Sequence, residues 1–300
     1  MAQQSLNGVV VPIITPTDAQ ERVDEKAFRE LIRRLIAGGV HGLFVGGTTG
    51  EGPLLTNAEW QRMSEIAFAE CGSKTNLMTG VMDTSAARVC DKVRALKKIG
   101  YRFFVLTPSF YIPARSASEQ LRLFSAARDA AGDMEMIAYN IPQCAGVPLA
   151  VEAVCDMAKR GWIRYCKESS GDIAYFRDLV TRGREVGLSV LAGDEVSMVE
   201  ELEAGAAGIV PGTANIAPVI HVEIYDAAAR ADWVTVKRIF PNIKRIRAPF
   251  VAGPASWVTG FKYAASLQGI GMGRAVSPLE PMGTPQAEVI RNHLKKEGLL

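Results

Sequence analysis

Short, almost continuous apolar runs alternate with longer amphipathic ones along the 300-residue chain. The strand-like runs are GVVVPIIT (8–15), HGLFVGG (41–47), NLMTGVM (76–82), YRFFVLTP (101–108), MEMIAYNIP (134–142), IRYCKESS (163–170), LSVLAGD (188–194) and GIVPGTAN (208–215). Most are apolar throughout rather than at every second position. They therefore predict strands buried on both faces, as in a parallel sheet covered by helices. Between them the apolar residues recur at helical spacing. Residues 24–37 set Phe28, Leu31, Ile32, Leu35 and Ile36 on one face, and Gly38-Gly39 ends the run. Thr56 with Glu59, and Ser116 with Glu119, have capping-box spacing, and segments 84–98, 149–159 and 172–183 also read as helices. Eight strands, each followed by a helix, predict an α/β fold closed as a (β/α)8 TIM barrel. The competing open doubly wound sheet expects a Gly-rich nucleotide loop after the first strand, and PTDAQERVD stands there instead.

More chain follows the eighth strand than one closing helix needs. DWVTVKRIFPNIKRIRAP, ASWVTGFKYAASLQGI and TPQAEVIRNHLKKEGLL all look helical. The expectation is a barrel over 1–229 and a C-terminal helical extension over 230–300, packed on the barrel or on a neighbouring subunit.

Composition narrows the class. About half the residues are apolar and the net charge is +2 without a basic stripe, which argues against a nucleic-acid surface. No apolar run approaches membrane-spanning length. The start, MAQQSLNGVVVPIITPTD, lacks the basic and long apolar regions of a signal peptide. Five cysteines without a CxxC pair suggest a reducing compartment. A cytoplasmic protein is the expectation.

Barrel active sites lie at the C-terminal ends of the strands, so each end is a place to look. The second offers GGTTGEG (46–52), either an ordinary glycine turn or an anion cradle of backbone N–H groups with the Thr48 and Thr49 hydroxyls. The fifth offers Tyr139, a core tyrosine or a general acid/base. The sixth carries Lys167, which shares a face with Ile163, Tyr165 and Ser169 by the period of two. If that face points inward, burial disfavours the ammonium, and a neutral amine attacks carbonyls. The alternative is a lysine reaching the rim or paired with an acid. The seventh offers Asp194 and Glu195, either receivers of substrate hydroxyls or the cap and first-turn acid of the next helix. The three histidines are scattered without metal-ligand spacing, so no metal is expected.

Taken together, GGTTGEGPLLTNAE, YNIP and YCKESSGD, on strands two, five and six, resemble the pyruvate-dependent Schiff-base lyases. That family includes dihydrodipicolinate synthase, N-acetylneuraminate lyase and the 2-keto-3-deoxy-sugar-acid aldolases and dehydratases. The resemblance implies that Lys167 forms an imine with a 2-oxo acid and that no cofactor is needed. It implies that Gly47, Thr48 and Thr49 hold the substrate carboxylate. Tyr139 would move protons with the Thr48 hydroxyl in its relay, the Val210 carbonyl would face the site, and Gly193 would line it. Family members are usually homotetramers built as dimers of dimers.

Two departures bear on the reaction. The synthase pattern TPYYNRP is here TPSFYIP, which puts Phe110 where a tyrosine reaches across the dimer interface. An arginine that binds the aldehyde's carboxylate is replaced by Cys144, which cannot make a bidentate contact. Asp194-Glu195 resembles the acidic pair with which neuraminate lyases hold a polyhydroxylated tail. The reading is an aldolase or dehydratase acting on a hydroxylated 2-oxo acid, such as a 2-keto-3-deoxy sugar acid. The alternatives are dihydrodipicolinate synthase itself, a deaminase of a hydroxy-pyrroline carboxylate, and a barrel that binds a 2-oxo acid without turning it over.

Overall fold

Eight parallel strands close in chain order into a barrel. They are β1 (Gly8–Pro12), β2 (Gly42–Val45), β3 (Asn76–Gly80), β4 (Phe103–Leu106), β5 (Glu135–Asn140), β6 (Ile163–Glu168), β7 (Ser189–Ala192) and β8 (Gly208–Ile209). This is the expected TIM barrel with a helical C-terminal region. The computed structural model describes residues 6–253 and 255–300. Met1–Ser5, the beginning of the stretch read above against a signal peptide, and Pro254 lie outside the described residues.

The helices are α1 (Glu25–Ala37), α2 (Asn57–Cys71), α3 (Ala86–Ile99), α4 (Ala117–Ala131), α5 (Pro142–Ala145), α6 (Val151–Lys159), α7 (Ile173–Arg184), α8 (Met198–Glu203) and α9 (Pro218–Ala229). Three more follow: α10 (Trp233–Val251), α11 (Trp257–Leu267) and α12 (Thr284–Lys296). Their starts are set by side chains that accept orphan N–H groups: Asp24 from Ala27, Ser85 from Arg88, Asp172 from Ala174 and Tyr175. The Ser116–Glu119 capping box is complete. The Thr56–Glu59 one is half made. Thr56 accepts the Glu59 N–H, but the Glu59 carboxylate turns to the Val23 N–H at 2.6 Å.

The strands are shorter than the apolar runs because the run ends enter loops. β1, β2 and β4 are buried at every position, as strands covered on both faces must be. The β5–β6 pairing shifts register between Met136 and Ile137. The period-two argument for β6 therefore holds from Tyr165 onward. At this same N-terminal end of β5, Glu135 forms ion pairs with Arg102 and Arg164.

The chain divides into two compact units. One is Met1–Val10 with Leu77–Val210, the other Val11–Asn76 with Pro211–Leu300. The first is filled by residues such as Phe103, Phe104, Phe124, Ile137 and Phe176. The second is filled by Phe28, Leu31, Ile32 and Met63, and by Phe250 edge-on to Phe261 with ring centroids 5.6 Å apart. Among the described residues no helix is long and apolar enough to cross a membrane.

Candidate active site

Lys167 is 6% exposed near the C-terminal end of β6, opposite Tyr139 on β5 and Leu191 on β7. Its Nζ stands 3.9 Å from the centroid of the Tyr139 ring, and Tyr139 is itself buried. Two residues named from the sequence as candidate acid/base and candidate nucleophile are thus in contact. The third member of this group is Gly193, just after β7. Its N–H bonds the Glu168 carbonyl at 2.7 Å. A Cβ there would lie 2.0 Å from Ser169 Oγ, 2.6 Å from the Glu168 carbonyl and 3.0 Å from Lys167 Cε. Only glycine lets β7 approach the lysine this closely. Val210 is buried just past β8, its N–H on the Ala192 carbonyl at 2.7 Å.

Behind these residues lies a polar layer that the sequence reading did not single out. Asn140 and Glu168 are the chain neighbours of Tyr139 and Lys167, and alternation sends them to the opposite face. Asn140 Nδ2 donates to Glu168 Oε1 at 2.9 Å, and Asn140 Oδ1 accepts the Leu149 N–H at 2.9 Å. This ties β5 to β6 directly behind the Tyr139–Lys167 pair. The signal in the sequence is polar residues immediately after both candidates, YN and KE, in otherwise apolar strands.

The N-cap position of α8 belongs to Ser197, and Asp194 is bonded within its own loop. Its Oδ2 accepts the Ser197 N–H at 3.0 Å and the Ser197 hydroxyl at 2.7 Å, shaping the entry to α8. Glu195 is buried. Ser197 Oγ also meets Glu201 Oε1 at 3.2 Å. Burial first, then the charges of Glu168 and Asp194, push the Glu201 carboxyl up to about 9, and burial raises Glu168 as well. Ser169 Oγ, on the Lys167 side of β6, is buried without a hydrogen-bond partner.

The loop after β4 turns tightly at Tyr111, whose φ is 71°, with the Ile112 N–H on the Phe110 carbonyl at 3.0 Å. Phe110 is half-buried, and it is Tyr111 that projects, 89% exposed. Cys144 lies exposed on the one-turn helix α5. Its neighbour Gln143 donates its amide to the Ser169 and Ser170 carbonyls at 3.2 and 2.9 Å.

The second unit holds the Gly47-Thr48-Thr49 loop. Glu51 N–H bonds the Thr48 carbonyl and Gly52 N–H the Gly47 carbonyl, both at 3.1 Å. A Cβ at Gly52 would fall 1.9 Å from the Gly46 carbonyl oxygen, so the glycine is obligatory. Thr49 is buried and Thr48 half-buried. Glu51 has φ 57°, a left-handed conformation that costs a non-glycine residue about 1 kcal/mol or more and persists only where surroundings enforce it. The enforcement is visible. Glu51 Oε2 pairs with Lys262 Nζ at 2.7 Å, and Oε1 accepts the Val276 N–H at 2.6 Å.

The dihydrodipicolinate synthetase family model matches residues 5–297. The chain belongs to that family. It is 30% identical over 297 residues to an uncharacterized DapA-like lyase of Halobacterium salinarum, covering 98% of this chain and 95% of the relative. It is 28% identical to the 4-hydroxy-tetrahydrodipicolinate synthase of Methanospirillum hungatei, with coverages of 96% and 98%. The dihydrodipicolinate synthase structure from Bacteroides thetaiotaomicron superposes with a TM-score of 0.91 at 27% identity, covering 97% of this chain and 98% of that one. A family member from E. coli K12, YagE, solved in complex with pyruvate, has the same fold, with a TM-score of 0.91 at 22% identity and coverages of 98% and 99%.

Within this Schiff-base lyase family fold, the first unit brings together Lys167, Tyr139 and Gly193. The second independently shapes the Gly47–Thr49 loop. Cys166, next to Lys167, is fully buried, and burial raises its thiol far above the ordinary range. It is a packing residue rather than a nucleophile. Among the described residues no three of His, Cys, Asp and Glu are grouped to hold a metal ion.

Proposed function

We propose that this protein is a Schiff-base lyase acting on a hydroxylated 2-oxo acid of the 2-keto-3-deoxy sugar acid class. The observation that carries the reading is the buried Lys167 amine lying 3.9 Å from the Tyr139 ring centroid, with Gly193 opening space beside its stem. The Lys167 Nζ attacks the C2 carbonyl. A C–N bond forms, the oxygen leaves as water, and the protonated imine withdraws electrons from C3.

From that imine, aldol cleavage breaks C3–C4. The bonding pair enters the enamine, and Tyr139 takes the C4 hydroxyl proton and returns one to C3. Dehydration instead removes a C3 proton and expels the C4 hydroxyl as water. In either case hydrolysis of the imine frees Lys167. Gly47, Thr48 and Thr49 are assigned the substrate carboxylate. Asp194, Glu195 and the unpartnered Ser169 hydroxyl are assigned the substrate hydroxyls.

Borohydride reduction with pyruvate should add one pyruvyl group to the intact protein, located at Lys167 by peptide mass. No adduct, or an adduct that survives Lys167→Ala, overturns the reading. A panel of 2-keto-3-deoxy acids, assayed separately for pyruvate release and for water loss, then distinguishes cleavage from dehydration.

The names of the synthase relatives favour a second reading, condensation of pyruvate with aspartate semialdehyde. Against it stands Cys144, an exposed thiol where that reaction needs a cationic carboxylate receptor. Turnover of aspartate semialdehyde at a rate matching the sugar acids would select the second reading.

A further inference from the structure

The Glu51–Lys262 pair has no part in the chemistry above, yet it is the most enclosed ion pair among the described residues, with side chains 1% and 2% exposed. A buried ion pair adds little stability over well-packed apolar residues, so its geometry is the informative feature. Glu51 lies in the left-handed region at φ 57°, two residues after Thr49. Its backbone holds the Thr48 carbonyl through its own N–H, and the next residue, Gly52, holds that of Gly47. Its side chain is gripped by residues more than 200 positions later: the Lys262 ammonium of α11 and the Val276 N–H. Lys262 is itself oriented by a second acceptor, Thr17 Oγ1, at 3.3 Å. A displacement of the carboxylate is therefore transmitted directly to Gly47 and Thr48.

We propose that Glu51 and Lys262 are positioning residues that hold the Gly47–Thr49 loop in its anion-binding shape, with the C-terminal helix α11 as the brace. The proposal rests on the assignment of that loop to the substrate carboxylate. Neither residue touches substrate. Their effect is on how well the carboxylate is received, and the reactivity of Lys167 once substrate is bound is unchanged.

The test measures borohydride trapping against pyruvate concentration, by intact mass, in wild type, Glu51→Gln, Lys262→Met and the double variant, each checked by thermal melting. Misplacing a binding group by a fraction of an ångström should raise the half-saturating pyruvate concentration in both single variants by about tenfold. Complete labelling should persist at saturation. In the double variant no charge is left unpaired, and the amide oxygen introduced by Glu51→Gln still accepts the Val276 N–H, so the rise should be smaller, about threefold. If either single variant fails to fold, the double variant decides: a raised half-saturation supports the brace and an unchanged one overturns it.

Unchanged half-saturation in folded single variants also overturns the proposal. So does a tightening in Glu51→Gln with a weakening in Lys262→Met, because opposite signs mean that the two charges act on the anion through their field. Absence of any adduct in the wild type would instead overturn the Schiff-base reading itself.

Discussion

Glu51 and Glu201 are equally hidden from water, at 2% and 1% exposure, but the two units treat a buried carboxyl in opposite ways. Around Glu51 a cation and a backbone N–H take both oxygens. Around Glu201 there are other acids. The Ser197 hydroxyl, which has one proton, meets both Asp194 and Glu201, and Glu201 Oε2 has no partner. Both Ser197 contacts carry a proton when Glu201 keeps one and donates it to Ser197 Oγ, while Ser197 donates to Asp194. One acid is held as part of an ion pair; the other is held by its own proton. A buried acid supplied with a cation fixes loop geometry, whereas one surrounded by acids makes the fold sensitive to pH.

The comparison breaks most visibly if the cation is removed. Lys262→Met leaves Glu51 buried beside an apolar side chain, and uncompensated buried charges of this kind cost about 3–5 kcal/mol. Urea unfolding at neutral pH should show a loss of that size. Adding Glu51→Gln to Lys262→Met should recover most of it, since no charge then lacks a counter-ion. A loss below about 1 kcal/mol in the single variant would mean that the pair is a bystander.

The opposite region should respond to protons. The Glu201 carboxyl is raised in the fold from 4.5 to about 9, so the folded state holds a proton that the unfolded chain releases. Its stabilising contribution is fully present below 4.5 and is lost as pH rises through about 9. The unfolding free energy from urea titrations should therefore fall across this window, by at most about 1.4 kcal/mol per pH unit. Glu201→Gln keeps a neutral donor toward Ser197 and should flatten the slope, making the variant the more stable protein at pH 9. A wild type equally stable at pH 5 and pH 9 would refute the retained proton.

The same contrast marks what the sequence could disclose. Period-two alternation and apolar runs were enough to find the eight strands and to put Lys167 on one face of β6, because those signals are local. The glycines at 52 and 193 follow from close approaches between elements, and only the GGTTGEG motif hinted at the first. Glu51 stood in that motif without a role because its partners, Lys262 and Val276, are set by the folding back of α11 and the segment after it. Nothing near residue 51 encodes a counter-ion 211 positions away. Likewise Glu59 matched a capping box, but its carboxylate found the Val23 N–H, a tertiary contact that overrides the local pattern. The register shift at Met136 was invisible for the same reason. Asn140 and Glu168 were passed over although their signal is local: polar residues in apolar strands announce a buried hydrogen bond, though not with whom.

The smallest expected effect concerns the second acceptor of Lys262. Thr17 Oγ1 lies 3.3 Å from the ammonium, longer than the 2.7 Å contact to Glu51. Thr17→Val keeps the volume and removes only that oxygen, so about 0.5–1.5 kcal/mol should be lost, the ordinary net value of one hydrogen bond. The ranking matters more than the figure. If Thr17→Val cost as much as Lys262→Met, the ammonium would depend on the hydroxyl rather than the carboxylate. Glu51 would then be held chiefly by the Val276 N–H, and the contrast with Glu201 would rest on one backbone donor instead of a cation.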